Sequence, residues 1–355
     1  MRPQLFIRKR PFPAIAAIIL VLLLSACAKR EEPLYQQQLL TFGTLLEISI
    51  WGADKRLAQQ ASSQIGADLQ QMHNDWHAWH DSPLTRMNQA LSAGAPVTVP
   101  ASILPLVQKS VALSRASEGL FNPAIGRLIK LWGFEQDDLP SGPPPSPAAI
   151  TALTKQQPGM NDLILDGNQL RSTNPAVQLD FGAIAKGYGV DLAIARLREL
   201  GIQNAIINAG GNLRAIGKHG DRPWRIGIRN PRGEGVLASI ETRGDESILT
   251  SGDYERFYDY QGKRYHHIID PRSGYPATGA ISVTVIADDA ATADAASTAL
   301  FVAGPQRWRE IAKKLGIMQV MLIDGKGRVA VTPAMAKRVR YEIDLSPKVT
   351  VVPLS

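Results

Sequence analysis

The chain has 355 residues, 45% hydrophobic and 20% charged, which is enough apolar material for one large domain or two small ones. Its net charge of +7 falls to +3 if Arg2, Arg8, Lys9 and Arg10 leave with a signal peptide, and no long basic run remains, so nucleic-acid binding has little support. Cys27 is the only cysteine, which excludes an internal disulfide and, once that residue is lipidated, thiol catalysis.

Residues 1–26 read as a lipoprotein signal peptide. The four basic residues precede an apolar run from Ala14 to Leu24, too short to span a bilayer. The run ends in Leu24-Ser25-Ala26-Cys27, a processing box with Cys27 as the lipidated residue; an ordinary signal with an incidental cysteine is the alternative. Residues 27–38 are polar and non-periodic and read as a tether, leaving 39–355 as the folded domain. Leu46, Ile48 and Ile50 alternate with polar residues as in a half-buried strand. Asp54 to Trp76 is helical in pattern, with Leu57, Ile65, Leu69 and Met72 inward, and a second helix is expected from Ile103 to Ala116. The proline-rich run 139–147 suits neither helix nor central strand and reads as a surface loop. Strands are expected at 177–180, 205–208, 213–217, 224–228, 236–241, 264–269, 281–287 and 318–323, with helices at 184–200 and 290–302. Mixed strands with helices in runs argue an α+β fold, with no internal repeat.

The richest segment for chemistry is Asp180-Phe181-Gly182-Ala183-Ile184-Ala185-Lys186-Gly187-Tyr188-Gly189. A strand ends, small residues let backbone N–H groups approach an anion, and a helix begins whose dipole favours negative charge. Its glycine spacing is neither a Walker loop nor a Rossmann fingerprint, and a plain strand–helix turn would use the same residues. Lys186, in the first helical turn, is unfavourable there unless it meets an anion. Gly210 and Gly211 follow a buried strand, and a hairpin turn explains them as well as a ligand does. Asp294 and Thr298 share one helix face, so a carboxylate, the hydroxyls of Ser297 or Thr298 and a borrowed carbonyl would suit Mg2+; the alternative is an alanine-rich helix with a solvated Asp294. His267 beside the turn Asp270-Pro271-Arg272-Ser273-Gly274 is a candidate proton shuttle. His73, His77 and His80 could hold zinc, but their spacing equally fits a polar helix face. Trp79 and the Gly119–Pro123 turn are candidates to hold a planar ring, whereas Trp132 and Phe134 read as core.

These pieces, in this order along nearly the whole mature chain, resemble the ApbE family of FAD:protein FMN transferases. The resemblance implies a single α+β catalytic domain of mixed sheets packed with helices, and Mg2+-dependent transfer of FMN from FAD to a Thr or Ser hydroxyl of a target protein. It implies FAD contacts at Phe42, Trp79, Leu120, Phe121, Asn122, Asp180, Lys186 and Ile268. It implies Mg2+ ligands at the Ala183 carbonyl, Asp294 and Thr298, and a catalytic His267. Trp79 stands where tyrosine is more common, Phe121-Asn122-Pro123 departs from a usual Phe-Asp stretch, and Ser273 replaces a frequent threonine. The implied partners are flavoprotein subunits of membrane respiratory complexes, of the Na+-translocating NADH:quinone oxidoreductase or Rnf type. A FAD pyrophosphatase releasing FMN and AMP, or a non-catalytic FAD-binding lipoprotein, are the alternatives. The implied location is the periplasmic side of the envelope, lipid-anchored, with Ala28 after Cys27 favouring the outer membrane.

Overall fold

The structure, a computed structural model, describes residues 34–135, 138–345 and 348–354. The expected signal peptide, Cys27 and Ala28 lie outside the described residues. In chain order, the first half contains β1 (Leu34–Thr41), β2 (Thr44–Trp51), α1 (Lys55–Trp76), α2 (Pro83–Ser92), β3 (Val97–Thr98), α3 (Leu104–Ala116), α4 (Gly126–Leu131), α5 (Pro147–Thr154), β4 (Leu163–Asp166) and β5 (Gln169–Ser172). Then come α6 (Ala185–Glu199), β6 (Ala205–Ala209), β7 (Asn212–Ile216), β8 (Arg225–Arg229), β9 (Val236–Glu241), β10 (Glu246–Gly252), β11 (Phe257–Tyr260) and β12 (Lys263–His266). The chain closes with β13 (Ala280–Ala287), α7 (Ala290–Lys314), β14 (Gln319–Asp324), β15 (Val329–Val331), α8 (Pro333–Ala336), β16 (Val339–Tyr341) and β17 (Val349–Val351).

The central sheet runs β1-β2-β6-β7-β10-β13-β14-β15-β17, antiparallel except where β15 meets β17. Its inner strands, such as β13 and β14, are buried on both faces, and alternate side chains serve two cores. In β14, Val320 and Leu322 join the core under the helices, while Met321 and Ile323 face a second core capped by β8, β9 and β16. The helical side is built on α6 and α7, which pack on each other, with α7 over β10 and β13. Helix α1 buries Ala58, Ala61, Ile65, Leu69 and Trp76, one stripe of an amphipathic helix, and Asp54 caps its start by accepting from the Arg56 and Leu57 amides. A mixed α+β domain is what the sequence implies and what the structure has.

Several boundaries differ from expectation. Residues 34–38 are strand rather than tether, because Leu34 to Thr41 pair with Trp51 to Thr44 along the whole of β2. Residues 177–180 form no strand; Gln178 makes only an isolated bridge to Ile125, and the buried Asn88 side chain supplies the hydrogen bonds a strand neighbour would (Leu179 N to Asn88 Oδ1 2.7 Å, Asn88 Nδ2 to Leu179 O 2.9 Å). The strand expected over 264–269 ends at His266. The helix expected over 290–302 runs on to Lys314, but Gly304 (φ 65°, ψ −176°) before Pro305 breaks it, so the expected piece is its first straight segment. Strands β10, β15 and β17 carried no clear sequence signal. Trp132 and Phe134 are core, as read, and Trp132 Nε1 donates to Gly274 O at 2.7 Å.

Candidate active site

The site forms where the start of α6 meets the first turns of α7. These helices touch because residue 187 is glycine: a Cβ there would lie 2.3 Å from the Ala290 oxygen and 2.9 Å from Asp294 Cβ. At that contact the Gly187 amide donates to Asp294 Oδ2 at 3.0 Å. Gly187 is the third residue of α6, so its N–H is one of the first-turn amides that no helical carbonyl takes, and Asp294 takes it instead. Asn212, at the start of β7, donates to the same Oδ2 at 3.4 Å. Asp294 is buried, and both bonds go to one oxygen.

One turn on, Ser297 Oγ donates to the Asp294 carbonyl at 2.9 Å, and Ser251 at the end of β10 lies 2.8 Å from Ser297 Oγ and 3.4 Å from Thr298 Oγ1. The Asp294 carboxylate on α7 thus meets the start of α6, just past the Ala183 carbonyl in the chain, and the Thr298 hydroxyl follows one turn on along α7. Hard oxygen donors of this kind, few and only one of them charged, fit Mg2+ that keeps waters or substrate phosphates for its remaining positions. Among the described residues no group of three or more His, Cys, Asp or Glu side chains forms a metal cluster.

Electrostatics converge on Lys186. Burial pushes the Asp294 carboxyl up, and the Lys186 ammonium, with the Gly187 amide, works against that. Burial likewise raises Glu255, opposed by Lys186 and Arg229. His267 is driven down to about 3, first by burial and then by Lys186, with His266 and Arg256 adding to it. Its ring is therefore neutral at any physiological pH. His267 Nδ1 lies 3.2 Å from the Arg256 carbonyl. A carbonyl only accepts, so Nδ1 carries the proton and Nε2 offers the lone pair a general base needs. Neighbouring His266 takes the opposite tautomer: Nε2 donates to Ala277 O at 2.9 Å and Nδ1 accepts from Ile268 N at 3.3 Å.

Asp180 sits at the mouth of the turn before α6. Its Oδ1 accepts from the Gly182 amide at 2.7 Å; burial raises its carboxyl, and that hydrogen bond and the Arg256 charge oppose the rise. Phe42 lies on the far side of α6, its ring 3.1 Å from where a Gly189 Cβ would be. It stacks on Trp76 (5.9 Å between centroids, 13°) and meets His73 edge-on. Phe42 and Gly43 form the two-residue β1–β2 turn with φ of 51° and 65°. Two left-handed residues are what a type I′ hairpin turn needs, and an aromatic residue there is costly enough to point to a role for the ring.

A match to the ApbE family covers residues 42–322, well over half of the sequence. The chain belongs to the ApbE family. A Rhodobacter capsulatus protein named FAD:protein FMN transferase is 44% identical over 297 residues, 84% of this chain and 57% of that relative's length. A Haemophilus influenzae protein of the same name is 30% identical over 326 residues, covering 89% of this chain and 93% of the relative. The crystal structure of the ApbE protein of Thermotoga maritima superposes with a TM-score of 0.79 at 31% identity, covering 87% of this chain and all of that one.

Of the residues the ApbE resemblance singles out, Lys186 lies within electrostatic reach of Asp294 and His267; Thr298 follows Asp294 by one turn of α7, Ala183 precedes Lys186 by three residues, and Asp180 is linked through Arg256. Leu120, Phe121 and Ile268 are buried in the core, so the backbone rather than the side chains of the 120–121 turn is what a ligand could reach. The Asn122 amide is engaged within the fold, donating to Pro158 O at 2.9 Å and accepting from Ala124 N at 3.0 Å. Trp79 lines a separate cleft of about 410 Å³ with Asn88, Arg127, Lys130 and Gln178, which neither Lys186 nor His267 reaches. We take the Lys186 neighbourhood as the chemical centre because charge, hydroxyls and a base converge there. His77 Nδ1 accepts from the Trp79 and His80 amides (both 3.2 Å), so that ring closes the turn after α1. Sequence reasoning missed Asn212, Ser251 and Arg256, whose roles depend on which strand ends face α7. The Gly187–Gly189 pair was legible, but its reason is close helix packing as much as anion approach.

Proposed function

We propose that this chain is an FAD:protein FMN transferase that takes FAD as substrate and moves FMN onto a Thr or Ser hydroxyl of another protein, releasing AMP. One observation carries the reading: Lys186, in the first turn of α6, lies within electrostatic reach of both the buried Asp294 carboxylate and a neutral His267. A non-catalytic FAD binder has no use for that combination.

Ala183, Asp294 and Thr298 would hold Mg2+, which supplies neutralisation of the pyrophosphate charge that builds as the bond breaks. Lys186 adds a point charge to a phosphate oxygen. The acceptor oxygen attacks the phosphorus on the riboflavin side, its proton passes to His267 Nε2, and the bond to the AMP phosphate breaks with AMP as leaving group. Because His267 is held neutral by burial and by the Lys186 charge, it needs no deprotonation beforehand. The remaining contribution is positioning of two reactants. The acceptor is a flavoprotein subunit of a membrane respiratory complex, and Cys27 anchors the enzyme by lipid on the periplasmic side.

The test mixes the protein, FAD, Mg2+ and a candidate acceptor subunit, denatures the mixture, and looks for flavin fluorescence and an FMN-sized mass gain on the acceptor. Labelled acceptor, lost with EDTA, supports transfer. Free FMN and AMP with no label on any acceptor offered would establish the pyrophosphatase instead, and FAD that stays intact and bound would establish a binding protein.

A further inference from the structure

One buried carboxylate takes no part in the mechanism above: Asp191, one turn beyond Gly187 on α6. Its Oδ1 accepts from the Ala290 amide at 2.8 Å and its Oδ2 from the Ala291 amide at 2.9 Å, the first N–H groups of α7. Asp289 already caps that helix through Thr292, with 2.8 Å to its amide and 2.8 Å to its hydroxyl. The start of α7 therefore has its own cap, and Asp191 adds a bond between helices. Arg214 of β7 donates to Asp191 Oδ1 at 2.5 Å and is steered from the other side by Asp245, at 3.0 and 3.2 Å. Arg198 of α6 pairs with the same Asp245.

Asp191 thus joins three elements, and each supplies one part of the Asp294 environment. Helix α6 gives Gly187, with Ala183 just before its first turn, α7 gives Asp294 and Thr298, and β7 gives Asn212, two residues from Arg214. The glycine contact permits the two helices to approach, but its single amide bond to Asp294 cannot by itself fix α6, α7 and β7 together. The Asp191 carboxylate, accepting from two amides and a guanidinium, can. Its side chain is only 15% exposed, so water competes weakly for these bonds.

The geometry points to Asp191 as a positioning residue for divalent-cation binding: it holds α6, α7 and β7 so that the Ala183 carbonyl, Asp294 and Thr298 address one ion. This rests on the Mg2+ reading above. Residues that orient ligands without touching the ion typically change its affinity by about 10- to 100-fold.

The experiment measures Mn2+ binding by the electron paramagnetic resonance signal of the free ion, in full-length protein with FAD present, beside FAD affinity at saturating metal. Asp191→Asn keeps the shape and one acceptor oxygen but loses the charge. It should raise the half-saturating Mn2+ concentration on the order of tenfold or more, leave FAD affinity at saturating metal unchanged, and recover kcat when metal is added. A variant with wild-type Mn2+ binding overturns the inference. If Asp191→Asn does not fold, Arg214→Gln decides, since it leaves both amide bonds and removes the cation that holds the carboxylate; a rise in the same direction supports the role and no rise overturns it. Wild-type protein that takes up no Mn2+ would overturn the cation site itself, and this inference with it.

Discussion

Replacing Gly187 by alanine probes the contact on which the whole site depends. The new Cβ would sit 2.3 Å from the Ala290 oxygen, 2.7 Å from its carbon and 2.9 Å from Asp294 Cβ, all backbone or near-backbone atoms that cannot swing aside. Carbon–oxygen contacts settle near about 3.3 Å, so the helices must part by about 1 Å. Overpacking of that kind costs about 1–3 kcal/mol. Parting also stretches the 3.0 Å bond from the Gly187 amide to the buried Asp294 carboxylate, and bonds of that type contribute about 1.5–3 kcal/mol. The sum is on the order of 3–5 kcal/mol. At about 2 °C per kcal/mol for a domain of this size, Tm should fall by roughly 6–10 °C. Thermal melting should be followed with and without Mg2+, beside the metal dependence of FAD consumption. The variant should lose stability and also need more metal, since Asp294 is no longer held against the start of α6. Gly66→Ala in α1 is the control: its Cβ meets only the far end of Leu39, at 3.3 Å, and its melting should stay at or above wild type. A Gly187→Ala enzyme with wild-type melting and wild-type metal requirement would refute the reasoning.

The other expectations can be checked with the same material. Asp294→Ala should abolish metal-dependent turnover while FAD breakdown is followed by AMP release; turnover unchanged at low Mg2+ would sink the ligand assignment. His267 accepts a proton near 6.5 when unfolded but only near about 3 when folded, so the unfolded chain binds more protons between those values. Its contribution to stability therefore falls as pH is lowered through that window, yet the base stays neutral; kcat/KM should show no acid limb near 6.5, and a limb there that His267→Asn removes would contradict the assignment. Phe42→Gly relieves left-handed strain of about 1–2 kcal/mol and loses ring contacts of similar size, so stability should change little while FAD affinity, read by flavin fluorescence, should weaken. Unaltered FAD affinity would dismiss the ring as a contact. Arg232→Gln leaves the buried Asp253 without its two-pronged partner (2.8 and 2.5 Å). Because Arg232 is about half exposed, a loss of roughly 1–3 kcal/mol is expected in denaturant unfolding, and Asp253→Asn in the same chain should return part of it.

The sequence carried most of the helices and several strands because their signals are local. Helix α6 announces itself by periodicity and by Gly201 just past its end, and β13 by an unbroken apolar run. Lys186, Asp294 and His267 were legible as chemistry-bearing residues in suggestive settings. Their meeting was not, because it depends on Gly187 being pressed against Ala290, a contact between residues about a hundred positions apart. The missing strand at 177–180 shows the same limit: Leu179 bonds to the Asn88 side chain, while Gln178 and Asp180 bond to the backbone of residues 123–126 rather than to a strand. Asp191 was invisible as more than a helix charge because its partners, Ala290, Ala291 and Arg214, come from two other elements.

The order of strands in the central sheet has a bearing on how the enzyme comes into being. Strand β2 pairs with β6, so Leu46 waits for Ala209, and Lys186 waits for Asp294, about a hundred residues further on. A nascent chain that has emerged only as far as Ile269 has Lys186 and His267 but lacks Asp294 and Thr298, and with them strands β13, β14, β15 and β17 of the central sheet. Such long loops are slow to close, so assembly of the fold and acquisition of chemistry fall together at the end of synthesis. No fragment ending before α7 should turn over FAD.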